Sequence, residues 1–158
     1  MKIISHRGNL FGADAQHENS PLYIKEAQKL GFDVEIDVWY HGNKYFLGHD
    51  EPVYEIDENF FNDKMWIHCK NLEAVERLNK THFNWFWHEG DKMTLTSEGH
   101  IWCYSGIFVN DGIVVECGKP FQISKNVAGI CTDYPIAWSK MKMQENVIKN
   151  NGGKNEKI

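Results

Sequence analysis

Four consecutive residues, Ser5-His6-Arg7-Gly8, have side chains suited to binding an anion, and they directly follow a short apolar run, Lys2-Ile3-Ile4. Arginine offers a fixed fork of donors to a phosphate group, and histidine gains or loses a proton near neutral pH. Glycine lets the backbone turn sharply beside a ligand. This stretch predicts an anion site at the end of a buried strand, although matches of three residues also arise by chance.

Two carboxylates, Glu35 and Asp37, alternate with apolar residues in the segment Val34–Val38. Residues two apart in a strand point to one face, so the carboxylates share a face and the apolar side chains take the other. Two interpretations fit this pattern. Buried carboxylates need a partner, which Mg²⁺ or Ca²⁺ would supply; alternatively, the segment is an exposed edge strand with a polar face.

The same alternation recurs at His68 and Lys70 and at Phe86 and His88, where the polar residues lie at the end of a predicted strand. Active sites of parallel barrels gather at the carboxyl ends of the strands. A single histidine at a strand end is more often a hydrogen-bonded structural residue. Several strands that end in polar groups on the same side favour a common site.

The elements that must position these residues alternate between strand and helix in the first half of the chain. Apolar periodicity and turn signals predict helices from the Ser20 cap to Leu30, over 72–80 and over 135–149. Strands are predicted over 2–6, 32–38, 45–47, 64–70, 83–88, 101–104, 113–117 and 129–132. Residues 93–96 are ambiguous, and residues 150–158 are predicted to be a flexible tail.

This order of elements predicts an α/β fold, a compact TIM-like barrel over residues 1–149 with parallel strands. A full barrel of eight strands and eight helices needs about 250 residues, and the chain has 158. The later strands are only about 8–12 residues apart, at or below what a crossover helix requires. We therefore predict one domain in which several outer helices are shortened or missing.

Composition argues against several classes of protein. The net charge is −5 and there is no basic run, so we expect no nucleic-acid partner. No apolar stretch is long enough for a signal peptide or a membrane span, so we expect no membrane association. The four cysteines are widely spaced, which favours reduced, buried thiols and a cytoplasmic location over a disulfide or a zinc site. Nothing in the sequence indicates an oligomeric state.

Four motifs resemble, in order and spacing, the pattern of the glycerophosphodiester phosphodiesterase family: His6-Arg7-Gly8, Glu18-Asn19-Ser20, Glu35-Ile36-Asp37-Val38 and His49-Asp50. The strand that ends at Ile67-His68-Cys69-Lys70 resembles the family's ExK strand, and Thr132-Asp133-Tyr134-Pro135 resembles its closing TDxP. The resemblance spans most of the chain and is thin between residues 72 and 127.

The resemblance implies a TIM barrel and a metal-assisted phosphodiesterase, so we expect a phosphoric diester hydrolase. It implies that His6 and His49 form the acid–base pair and that Arg7 binds the phosphate beside them. It implies that Glu35 and Asp37 bind the metal. Substrate-binding roles are expected for Lys70, His68, Glu18, Asn19 and Trp102. The last of these rests on the alternating run 101–104, for which packing in the core is the alternative.

Two departures from the family pattern bear on the metal and the substrate. His68 stands where the family has a third metal carboxylate, and imidazole suits Mn²⁺ or Zn²⁺ better than Mg²⁺ or Ca²⁺. Only residues 51–63 occupy the place of an inserted subdomain that recognises the glycerol end. The expected substrate is therefore a small diester of the glycerophosphodiester type, including nucleotide- or sugar-linked glycerol phosphates, rather than glycerophosphocholine.

Two other functions are compatible with the same residues. A phospholipase D-like lyase is disfavoured by the absence of a signal peptide and by the expected reduced cysteines. A non-catalytic phosphate- or sugar-binding module would need only Arg7 and Lys70, so the presence of both His6 and His49 argues against it. For an enzyme, attack by water and attack by a neighbouring hydroxyl through a cyclic phosphate remain alternatives.

Overall fold

The computed structural model describes the backbone of residues 1–152 and the side chains of residues 1–147. They contain three α-helices, α1 (Pro21–Lys29), α2 (Leu72–Leu78) and α3 (Pro135–Gly152). The strands are β1 (Lys2–His6), β2 (Asp33–His41), β3 (Lys44–Leu47), β4 (Tyr54–Ile56), β5 (Met65–Cys69), β6 (Trp85–Phe86), β7 (Met93–Leu95), β8 (Ile101–Cys103), β9 (Ile113–Val115) and β10 (Gly129–Thr132).

The ten strands form one mixed sheet that curls into a half-barrel. Its parallel strands are neighbours in the order β6-β5-β2-β1-β10-β9-β8. The strands β3, β4 and β7 are antiparallel to their neighbours. Because the parallel strands run in one direction, their carboxyl ends meet at one edge of the sheet.

The predicted TIM-like barrel, with helices alternating around it, is wrong. Among the described residues only β1, β5 and β10 are followed directly by an α-helix. The connections 104–112 and 116–128 are near the minimum of about a dozen residues that a parallel crossover requires, and they contain no helix. The segment 51–63, which stands in place of the family's inserted subdomain, forms β4 and a single 3-10 turn at Glu58–Phe60.

Local signals explain where the helices begin and end. Ser20 caps α1 by accepting a hydrogen bond from the Tyr23 amide, with Pro21 in the first turn. Asn71 caps α2 through the Ala74 amide. The helix α3 continues to Gly152, so residues 150–152 are helical rather than part of a tail. The rest of the predicted tail, 153–158, lies outside the described residues.

The two faces of the sheet bury different side chains. Helices α1 and α2 pack on the outer face, over a core that includes Ile24, Val34, Ile36, Ala74 and Leu78. The inner face carries a second cluster, Ile4, Trp66, Phe86, Trp102, Ile113 and Cys131.

The curl of the sheet brings its two far ends together over this inner face. The rings of Phe86 in β6 and Trp102 in β8 stack with centroids 4.4 Å apart, although these strands end the parallel series. The Ser97 amide, just after β7, also donates to the Trp85 carbonyl at 2.7 Å. Among the described helices, none has the length and apolar character needed to cross a bilayer.

Candidate active site

The candidate site lies on the inner face, at the carboxyl ends of the parallel strands. Its residues follow inner core residues at a spacing of two: His6 follows Ile4, and His68 follows Trp66. Side chains two apart in a strand point to the same face, so the apolar cluster forms a floor beneath the polar groups.

His6, the last residue of β1, is held by a carboxylate from the other end of the chain. Its Nδ1 donates a hydrogen bond to Oδ1 of Asp133 at 2.7 Å, and Sγ of Cys117 lies 3.6 Å from the same nitrogen. Its Nε2 is 3.8 Å from Oε2 of Glu35. Burial alone lowers the pKa of His6, but the hydrogen bond to Asp133, together with Cys117 and Glu35, outweighs burial and raises the pKa well above its usual value.

Arg7 has a left-handed backbone, with φ 54°, which is uncommon for a residue other than glycine. Its amide donates to the Glu35 carbonyl at 2.9 Å, and its carbonyl accepts from the Asn19 amide at 3.0 Å. Its guanidinium pairs with Glu18 (Nη1 to Oε2, 3.0 Å) and with Asp37 (Nε to Oδ2, 2.9 Å). Strained backbone that is held in this way is typical of functional sites, and the guanidinium is fixed in position.

Glu35 and Asp37 both point to the inner face of β2 and are buried, with exposed fractions of 3% and 0%. The alternative of an exposed edge strand is excluded, because β1 and β5 pair with the two sides of β2. The sequence therefore predicted correctly that the two carboxylates share one face.

Asp37 is surrounded by donors: Arg7, His68 (Nδ1 at 3.0 Å), Lys70 (Nζ at 3.5 Å) and Asn19 (Nδ2 at 2.9 Å). Burial raises the pKa of Asp37, but the hydrogen bond with His68 and the charges of Arg7, His68 and Lys70 outweigh it and hold the pKa well below its usual value. Asp37 is thus ionised and fixes the groups around it.

Glu35 is compensated much less. Its Oε2 and Oδ1 of Asp37 are both buried without a hydrogen-bond partner, but the nearest cationic groups lie 3.8 and 4.0 Å from Glu35 and only 2.9–3.5 Å from Asp37. Burial, and then the charge of Asp37, raise the pKa of Glu35, against the opposing charges of His6, Arg7 and His68. A buried carboxylate oxygen without a partner costs free energy, so Glu35 is the group that a bound cation would stabilise most.

Glu35, Asp37 and His68 are a group of residues that could hold a divalent cation. One donor atom of each residue lies within 4.8 Å of the others. This set of two carboxylates and one imidazole suits Mn²⁺ or Zn²⁺ better than the oxygen-preferring Mg²⁺ and Ca²⁺. Nδ1 of His68 lies 3.0 Å from Oδ1 of Asp37 in the metal-free protein, and an imidazole nitrogen must be unprotonated to bind a metal.

The ring of His68 is fixed by two parallel aromatic contacts. Its centroid is 5.0 Å from that of Phe86 and 4.6 Å from that of His88, with interplanar angles of 9° and 6°. Burial, and then the charges of His68 and Lys70, lower the pKa of His88 to about 4. His88 is therefore neutral near neutral pH.

His49 reaches the site from the loop after β3. The preceding Gly48 has φ 150°, and a Cβ there would overlap the Glu51 carbonyl oxygen, so the loop requires glycine. The indole of Trp39 donates to the Gly48 carbonyl at 2.7 Å. Nδ1 of His49 pairs with Oδ1 of Asp50 at 2.7 Å, and the His49 side chain is 42% exposed.

A cavity of about 250 Å³ brings these groups together. Six of the predicted site residues line it, namely His6, Arg7, Glu35, His49, His68 and, at the floor, Trp102. The remaining predicted residues are not among the lining residues of this cavity. Asp37, Lys70, Glu18 and Asn19 lie behind it and hold Arg7, His68 or one another.

Sequence reasoning gave no specific role to two residues next to His6. Cys117 follows β9 at the same edge of the sheet as the other site residues, which was the available signal. Asn9 is fully buried, and its side-chain amide bridges Oε1 of Glu18 (2.9 Å) and Oδ1 of Asp133 (2.8 Å). No pattern in the sequence indicated this bridge, because it depends on contacts across the whole chain.

A larger, open depression of about 810 Å³ lies far from this chemistry. It is lined by residues that precede β5 and β6, such as Asn62, Asp63 and Phe83, so it lies at the opposite edge of the parallel strands. In parallel α/β folds ligands bind at the carboxyl ends of the strands, which favours the smaller cavity as the candidate active site.

Comparisons of this chain with protein-family models, with curated proteins and with solved structures find no match.

Proposed function

We propose that this protein is a phosphoric diester hydrolase that cleaves a small diester of the glycerophosphodiester type, with the help of a divalent cation. The observation that carries this proposal is that His6 and His49 line one cavity together with Arg7 and Glu35. Two imidazoles, a guanidinium and a carboxylate around one small cavity meet the needs of phosphodiester cleavage.

The proposed chemistry divides between the two histidines. Cleavage of a phosphodiester expels an alkoxide, so one imidazolium protonates the leaving oxygen while the other imidazole takes a proton from the attacking oxygen. Asp133 positions His6 through Nδ1 and leaves Nε2 for proton transfer. Oδ1 of Asp50, an exposed side chain, lies 2.7 Å from Nδ1 of His49. Arg7 binds the non-bridging oxygens and stabilises the negative charge that develops on them.

Glu35, Asp37 and His68 would hold the cation, which supplies further charge neutralisation at the phosphoryl oxygens when it is bound. The role of Asp37 is then double, because it also orients Arg7 and His68. Lys70 contacts Asp37 rather than the substrate in this scheme, because its Nζ lies 3.5 Å from Oδ1 of Asp37.

The proposed partner is the small diester alone, with neither nucleic acid nor membrane. The acidic net charge of −5 supports this. All four cysteines are free, which supports the proposed cytoplasmic location.

A second candidate is a phosphate-binding module without turnover. It is favoured by one observation: Nδ1 of His68 lies 3.0 Å from Asp37, where a protonated imidazole would replace the metal. Arg7 and the histidines would then hold a phosphate but would not cleave it.

Turnover assays separate the two candidates. Wild type is incubated with glycerophosphodiesters and with bis(4-nitrophenyl) phosphate, in the presence of Mn²⁺, Mg²⁺ or EDTA. We expect cleavage that EDTA abolishes and that falls about 100- to 10,000-fold in His6→Ala and in His49→Ala. The control, His82→Ala, removes an exposed histidine outside the cavity and leaves the rate unchanged. Phosphate binding without cleavage of any diester would favour the binding module.

A further inference from the structure

A second cavity adjoins the candidate active site. It has a volume of about 490 Å³ and is lined by the loops around 15–19 and 48–54. It shares two lining residues with the first cavity, Arg7 and His49. A phosphoryl group bound by Arg7 therefore has space on both sides, one for each substituent of a diester.

The first cavity offers an uncharged aromatic wall beyond its charged groups. Phe86, Trp102, Tyr104 and Val115 line that side. Tyr104 is 57% exposed and meets His88 edge to face, with centroids 6.1 Å apart and an angle of 78°. Exposed aromatic surface beside a cavity favours a planar or apolar group. The volume of about 250 Å³ lies below the usual range for drug-sized ligands, about 300–1,000 Å³, so the group is small.

The charged side chains that line the second cavity are mostly acidic. Its polar lining includes Gln16, Glu18, Asn19, Asp50 and Glu51, beside the less polar Ala15, Val53 and Tyr54. Carboxylates accept hydrogen bonds from hydroxyl groups, so this lining favours a polyol. It repels a substituent that carries a negative charge.

We propose that the diester places its two arms in different cavities, an inference that rests on the proposed phosphodiesterase function. Its hydroxylated arm, of the glycerol or sugar class, occupies the acidic cavity. Its other arm is a small planar or apolar group and occupies the aromatic cavity. The phosphoryl group lies at the junction formed by Arg7 and His49.

Three synthetic diesters with two kinds of arm test this proposal: glycerol 4-nitrophenyl phosphate, bis(4-nitrophenyl) phosphate and glycerophosphoglycerol. The measurement is kcat/KM of a variant relative to wild type on each diester, because this ratio cancels the intrinsic reactivity of the leaving group. Tyr104→Ala removes the exposed aromatic ring, and Gln16→Ala removes an amide from the acidic cavity. Phe121→Ala removes an exposed aromatic side chain outside both cavities and is the matched control.

We expect the two variants to have opposite selectivity. Tyr104→Ala lowers kcat/KM about tenfold more on the aryl diesters than on glycerophosphoglycerol, as loss of an aromatic contact would. Gln16→Ala lowers it more on the glycerol-bearing diesters than on bis(4-nitrophenyl) phosphate. If each variant lowers kcat/KM by the same factor on all three diesters, the assignment of the arms is wrong, although the phosphodiesterase function stands.

If wild type cleaves none of the diesters, the proposed function is wrong, and the arms are then tested by binding. Trp102 lines the aromatic cavity, so its fluorescence reports occupancy there. The assignment of the two arms is supported if Tyr104→Ala weakens the binding of phenyl phosphate more than the binding of glycerol 3-phosphate. The same loss for both ligands, or no binding of either, overturns them.

Discussion

Nδ1 of His6 lies 2.7 Å from Oδ1 of Asp133, although 127 positions separate the two residues in the chain. The parallel pairing of β1 with β10 brings their carboxyl ends together, and the contact follows from it. The carboxylate fixes the orientation of the imidazole and favours its protonated form. The pair is therefore part of both the fold and the proposed catalytic apparatus.

Replacing Asp133 by asparagine should reduce stability in a pH-dependent way. The pKa of His6 is higher in the folded protein than in the unfolded chain. Protonated His6 therefore contributes its full share to the free energy of unfolding below the unfolded pKa of about 6.5, and this contribution is lost as the pH rises through the folded pKa. Burial raises the pKa of Asp133, but the hydrogen bond from His6 outweighs it and the net shift is downward. Ionised Asp133 therefore contributes to the free energy of unfolding above about pH 3.9, and this contribution is lost as the pH falls through its folded pKa.

We therefore expect wild type to exceed Asp133→Asn in free energy of unfolding by about 1.5–3 kcal/mol between about pH 4 and pH 6.5. The difference should shrink on either side of that window. Urea unfolding of both proteins across a pH series measures it. If the difference in free energy of unfolding does not vary with pH, the loss of stability in Asp133→Asn does not come from the ion pair with His6.

Glu35→Gln should raise stability and lower activity at once. In the metal-free protein it removes a buried charge whose Oε2 has no partner and which is repelled by Asp37. We expect a gain of about 1–3 kcal/mol in the free energy of unfolding without metal, and a loss of about 100-fold or more in diester cleavage with metal. The control, Glu55→Gln, alters an exposed carboxylate paired with Lys44 and should change neither. Loss of stability in Glu35→Gln would contradict this account of Glu35.

His68→Glu should change the preference for metal. Wild type should bind Mn²⁺ more tightly than Mg²⁺ or Ca²⁺, because one of the three donors is an imidazole. With a third carboxylate, the preference should move toward Mg²⁺ and Ca²⁺ by about tenfold. Electron paramagnetic resonance of Mn²⁺ and calorimetric titration of the other ions measure binding independently of turnover. The same metal preference in both proteins would exclude His68 from the site.

Cys117 should be the thiol that reacts in the folded protein. Three cysteines are buried, with exposed fractions of 2% for Cys69 and 0% for Cys103 and Cys131. The fourth, Cys117, lines the cavity. Burial also raises the pKa of the Cys69 thiol to about 12, and a thiol reacts as its thiolate. We expect iodoacetamide to label one cysteine in native wild type, none in Cys117→Ser, and all four in denaturant. Mass spectrometry counts the adducts, and native labelling of Cys131 would contradict the burial described above.

Local features of this chain were predictable from its sequence. The alternation that places Glu35 and Asp37 on one face has a period of two, and such a pattern depends only on neighbouring residues. The start of α1 follows from its Ser20 cap and Pro21 for the same reason. The convergence of His6 and His68 at one edge follows from parallel pairing of the strands that carry them.

Features that depend on distant parts of the chain were not predictable. The connections after β8 and β9 contain no outer helix, and β7 turns back against β8, so the sheet remains a half-barrel. The sequence at 93–96 is compatible with several structures and does not show that pairing. The bridge from Asn9 to Asp133 likewise requires β1 and β10 to be neighbours.

A double-variant cycle of His6→Ala and His49→Ala tests the central claim most directly, which is that both imidazoles act on one phosphoryl group in one cavity. The measurement is kcat/KM on glycerol 4-nitrophenyl phosphate for wild type, the two single variants and the double variant. Residues that act as a unit are strongly non-additive, so we predict that the double variant is no more than about tenfold slower than the slower single variant. Losses that multiply across the two sites, or single variants as active as wild type, would contradict the claim.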